Sequence, residues 1–141
     1  MTIPQWVLLA FAMWTLLVLW GTVGVHRWSH ILTGRARVSE WPSDRPHGAV
    51  WYQRGTRAHM NCIENLPVYG AIIVCATVVG VKGALMDELA LAIIASRVAQ
   101  TSIHIAFVQT DLVVSIRFSL YMVQGIAMAV MVALVAMAAA G

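Results

Sequence analysis

Apolar residues run through four long stretches of the chain, broken by short polar interruptions. The pattern predicts helices over about residues 3–25, 50–80, 85–108 and 112–140, each as long as the ~20 residues that cross a hydrocarbon core. The second stretch does not begin apolar. Arg54 to Pro67 reads RGTRAHMNCIENLP, and only from Val68 does the segment become almost wholly apolar. At about 100° per residue, Arg54, Arg57, Asn61 and Glu64 fall on one helical face. A polar face entering a membrane span must look at protein, ligand or a wet cavity rather than lipid.

Two more stripes repeat the theme. Arg97, Gln100 and His104 share a face of the third helix, and Arg117, Tyr121 and Gln124 share one of the fourth. His59 sits about 200° round the second helix from Arg57, away from its polar face, and reads as a structural histidine. Pro67 removes one backbone hydrogen bond and predicts a kink. Pro4 suits a first helical turn, and Thr110 or Asp111 suits the N-cap of the fourth helix.

Composition turns this pattern into a class. Of 141 residues, 60% are hydrophobic and 11% charged, whereas soluble domains carry about a quarter charged. The chain reads as an all-α integral membrane protein: one domain over residues 1–141, a four-helix bundle. The first helix reads as a retained span, since no basic residue precedes it and no small-residue cleavage pattern follows. Trp6, Trp20 and Trp28 suit an aromatic belt.

The charge is +3, with no basic run, so nucleic acid is not expected. Loop 26–53 holds four of the nine Lys and Arg residues. The positive-inside rule places it in the cytoplasm, with a bacterial inner membrane as the expected location. Pro42, Pro46 and Gly48 break any long helix there. Four spans then bring the polar half of the second helix, His104, Arg117, Arg35 and Arg37 to one level of one leaflet. Arg97 lies about 16 Å deeper. Cys62 and Cys75, about 20 Å apart on one helix, cannot form a disulfide. His26 and His30 are four apart but lack a third ligand at a standard spacing, so no metal site is expected.

Taken one at a time, these cations have ordinary readings. Arg97 can pair with Glu64 or with backbone carbonyls, and Arg57 and Arg117 can snorkel to headgroups. Taken together, five or six arginines face one or two carboxylates, so an anion is missing. Guanidinium forks suit carboxylates, and Glu64 suits an ammonium. A small zwitterion with more than one carboxylate fits that set. Arg117 beside Tyr121 could stabilise a thiolate.

RAHMNCIENLP, from Arg57 to Pro67, resembles the second-helix pattern of the MAPEG family, the membrane-associated proteins in eicosanoid and glutathione metabolism. RVAQTSIHIAF from Arg97, IRFSLYMVQ from Ile116 and LTGRARV from Leu32 match further family segments. The resemblance covers most of the chain and is to a bacterial-type member. It implies a homotrimer of four-helix subunits, with glutathione as cosubstrate bound between neighbours near the cytoplasmic face. Arg57, Asn61, Glu64 and Arg37 would hold its peptide part, with Arg54, Arg97 and His104 as further binding residues. Arg117 and Tyr121 would act at the thiol. The second substrate would be an apolar small molecule arriving from membrane lipid: an electrophile to conjugate or a lipid hydroperoxide to reduce. Two departures stand out: His104 where many catalytic members carry tyrosine, and Met60 where some carry a basic residue. Some members have no demonstrated reaction, so a non-enzymatic protein binding anionic lipid or another small anion is the alternative.

Overall fold

The computed structural model describes residues 1–41 and 48–141. Among these residues the chain forms four long helices and no strand: α1 (Ile3–Leu32), α2 (Val50–Val79), α3 (Ala84–Ala106) and α4 (Asp111–Ala140). All four are long and apolar enough to cross a membrane, and the protein is a multi-pass integral membrane protein. The expected loop breakers Pro42 and Pro46 lie outside the described residues.

Helix α1 extends well past residue 25, where its apolar stretch ends. His26 and Ser29 lie within it, the Ser29 hydroxyl donating to the His26 carbonyl at 2.9 Å. Gly34 stops it. With φ at +68°, Gly34 directs its N–H to Ile31, and Arg35 directs its own to His30. That pair of reversed bonds satisfies the last carbonyls of the helix. Thr110 is the N-cap of α4, its hydroxyl accepting from the Val113 N–H at 3.3 Å. Helix α2 runs without interruption through Pro67.

The irregularity that sequence did not predict lies in α1. Residues Leu19–Gly24 form a π-turn, a wider coil that shifts the side-chain register by one residue. There Thr22 is buried, with its hydroxyl donating to the Val18 carbonyl at 2.6 Å. It meets Gly55 of α2 so closely that a Cβ on Gly55 would lie 2.5 Å from the Thr22 Cβ. Glycine in the polar stretch therefore sets the distance between α1 and α2.

Helices α2 and α3 each pack against all three others. Phe11, Tyr69, Ile93 and Met131 are fully buried between them, with small Ala58, Ala76, Ala90 and Ala127 letting backbones approach. Tyr69 stays buried because its hydroxyl reaches the Pro4 carbonyl at 3.0 Å. Trp6, Trp20 and Trp28 face outward.

Candidate functional site

The polar half of α2 divides by angle. Gly55, Ala58 and Cys62 are buried and form its inner stripe. Arg57 and Glu64 are exposed, while Arg54 and Asn61 are half-buried beside them. So the stripe read from the sequence looks out of the single chain. Arg54 acts as a structural cap, with its Nη1 donating to the Phe107 carbonyl at 3.1 Å. Phe107 ends α3, where a cation completes orphaned carbonyls and suits the helix dipole. His59 is confirmed off this face. Its Nδ1 lies 3.2 Å from the Thr15 carbonyl of α1.

Helices α3 and α4 are joined by amide side chains. Gln124, fully buried, donates from Nε2 to the Gln100 Oε1 at 3.1 Å. Gln100 donates in turn to the Arg117 carbonyl at 3.2 Å. The turn of α4 that carries Arg117 is thereby tied to the interior of α3. The stripe on α4 is split by this docking: Gln124 points inward, Arg117 is half-buried and Tyr121 is exposed.

Charge then gathers on one side. The guanidinium groups of Arg117, Arg57 and Arg54 all act on the buried imidazole of His104. Arg57 and Arg117 also act on each other. Like charges held together cost free energy unless an anion joins them. Glu64 is the carboxylate on the exposed stripe of α2.

Deeper in the bundle lies Arg97, with no exposure at all. It shares a buried face of α3 with Ile93, Gln100, Thr101 and His104. Its three guanidinium nitrogens have no hydrogen-bond partner, so the expected pairing with Glu64 or with backbone carbonyls is not made. What it does touch is Phe11, whose ring centre is 5.4 Å from its Cζ.

The structure thus brings Arg54, Arg57, His104 and Arg117 together, with Asn61 and Glu64 further along the outward stripe of α2. Arg37 is exposed beyond the end of α1, and its N–H donates to a Glu40 carboxylate oxygen at 3.2 Å. Sequence reasoning missed a second polar cluster at the end of α1. His26 stacks on Tyr52 with ring centres 4.3 Å apart. Arg27 Nε donates to the Tyr52 hydroxyl at 2.8 Å, and Trp41 packs edge-on to Tyr52. Its one signal was the density of aromatic and histidine residues flanking loop 26–53. The cluster fixes α1 to the start of α2, and so the base from which Arg54 and Arg57 project.

The chain belongs to the MAPEG family, whose pattern matches residues 5–137. No curated protein and no solved structure matches it significantly.

Proposed function

We propose that this protein is a glutathione-dependent membrane enzyme that conjugates or reduces an apolar electrophile or lipid hydroperoxide. The observation that carries the reading is the outward stripe of α2. Arg57 and Glu64 stand exposed on a membrane span, with the cations around His104 beside them and too few carboxylates to balance them. Such a surface calls for cover by a second copy of the chain and for an anionic ligand within the cover. Membership of a family in which glutathione is the usual cosubstrate supports that ligand.

In this reading the protein is a homotrimer with glutathione between subunits near the cytoplasmic face, and loop 26–53 is cytoplasmic. Arg57 and Arg37 take the carboxylates, Asn61 the peptide amides and Glu64 the ammonium. Arg117 stabilises the thiolate, with the Tyr121 hydroxyl nearby as a second donor. Arg54 and His104 shape the site, Arg54 by holding the end of α3. The apolar substrate reaches the sulfur from the bilayer, past exposed apolar residues such as Phe118 and Met122.

Calorimetry on detergent-purified protein tests this. Native protein binds glutathione saturably, and both Arg57→Ala and Glu64→Ala bind it more weakly. Glutathione also produces a thiolate absorbance that Arg117→Ala loses. If native protein does not bind millimolar glutathione, the arginine cluster is instead a receptor for anionic lipid headgroups, and vesicles containing anionic lipid then retain the protein in a way that Arg57→Ala weakens.

A further inference from the structure

The end of the bundle opposite the arginine cluster carries a recess that the chemistry proposed above does not use. The start of α1, the end of α2 and the start of α3 enclose a cavity of about 420 Å³, where Thr2, Gln5, Thr77 and Lys82 supply the polar lining. An adjoining cavity of about 330 Å³ shares Thr2 and Lys82 and adds Asp87. Past Gln5 and Thr77 the space continues as a groove of about 440 Å³ between α1 and α2, walled by Leu8, Leu9, Val74 and Val78. The recess is therefore charged at its rim and apolar along its length. Its rim is set by the backbone. Gly80, at φ +82°, ends α2, and its N–H and that of Val81 both return to the Ala76 carbonyl at 2.9 Å. That tight reversal leaves Lys82 exposed at the mouth, with Asp87 half-buried in the first turn of α3. Between rim and groove an amide bridges the helices. Gln5 accepts from the Thr2 N–H at 2.9 Å and donates from Nε2 to the Thr77 hydroxyl at 3.0 Å. A primary amide has two N–H groups, so one is left to offer to an acceptor in the recess.

We propose that this recess is a binding site for one zwitterionic phospholipid whose headgroup ends in a primary amine. The order of surfaces matches the order of groups in such a molecule. Lys82 takes the phosphate and Asp87 the ammonium. The remaining Gln5 N–H meets an ester carbonyl, and the groove takes the start of one acyl chain. Leu9 lies one turn below Gln5, about 6 Å, so only the upper part of the chain is held. Charge selects the head. Asp87, with exposed Glu88 one residue on, disfavours a head that carries phosphate alone, and a carboxylate accepts hydrogen bonds that a quaternary ammonium does not have to give. The groove is also distinct from the face of α2 proposed to meet a second copy: Val74 and Thr77 lie about 100° and 160° round the helix from Arg57. The site does not depend on the glutathione reading.

Native mass spectrometry tests it. The full chain is exchanged into micelles holding equal amounts of phosphatidylethanolamine, phosphatidylcholine and phosphatidylglycerol with the same acyl chains, and the lipid retained on the protein is identified. Native protein retains the ethanolamine lipid about threefold over each of the others, the worth of one ion pair at a partly exposed position. Asp87→Asn loses that preference. Lys82→Gln retains less of all three lipids, since each carries the phosphate. Val74→Trp, which fills the groove from an exposed position, also retains less of all three while leaving the rim charges in place. All three positions are exposed or half-buried, and melting in lipid-free detergent confirms that each variant is folded. Equal retention of the three lipids by native protein overturns the site, and so does a folded Asp87→Asn that keeps the preference. Retention of no lipid, with Val74→Cys cross-linking between subunits, assigns the groove to a second copy of the chain and likewise overturns it.

Discussion

The Gln124 amide reaches the Gln100 side-chain carbonyl across 3.1 Å of the interior, and Gln100 passes the connection to the Arg117 carbonyl. Two neutral side chains thus fix the register between α3 and the turn of α4 that carries the cation proposed to act at the thiol. Gln124→Leu keeps the volume and removes the donor, leaving the Gln100 oxygen buried and unpaired. The expected loss is about 1–3 kcal/mol, read as a lower Tm in detergent. The thiolate signal with glutathione weakens as well, because the Gln100 amide that holds the Arg117 carbonyl loses its own partner.

Gly55 yields a steric prediction. Gly55→Ala drives a methyl into Thr22 of the π-turn, where the contact is backbone-near and cannot swing away. Overpacking of this kind costs about 1–3 kcal/mol. The same change at Gly125, which has open space around it, leaves the melting temperature close to native or raises it slightly, since alanine is the better helix former.

Arg54 and Arg57 look alike in the sequence but should separate in a binding assay. Arg54→Ala removes the donor to the Phe107 carbonyl and costs about 1 kcal/mol of stability, with a smaller effect on glutathione affinity. Arg57→Ala, exposed and uncommitted to a cap, weakens glutathione binding by about tenfold or more while melting near native. Equal effects of the two substitutions on binding would show Arg54 to be a ligand contact as well.

Tyr52→Phe isolates the cluster at the end of α1. It keeps the ring stacked on His26 but removes the oxygen that Arg27 bonds at 2.8 Å. The expected cost is about 1.5–3 kcal/mol, the ordinary worth of a bond with one charged partner. Tyr52→Ala, which also removes the ring between His26 and Trp41, costs more. Unfolding of the two variants in parallel gives the separate contributions.

The four spans, their membrane class and the polar stripes of α2 and α3 were legible in the sequence, because each depends on local hydropathy and on the angle a residue takes about its own helix axis. The family pattern was legible for the same reason: RAHMNCIENLP is a property of one helix. An N-cap at Thr110 or Asp111, which the structure resolves to Thr110, and His59 as a residue turned away from the polar face followed from similarly local rules. Periodicity does not say which neighbour lies at a given angle. Only the packing of four helices decided that Arg54 closes the end of α3, that Gln124 turns inward while Tyr121 looks out, and that Arg97 lies unpaired against Phe11. The π-turn in α1 and its contact with Gly55 were likewise invisible, since the close approach joins two helices distant in sequence.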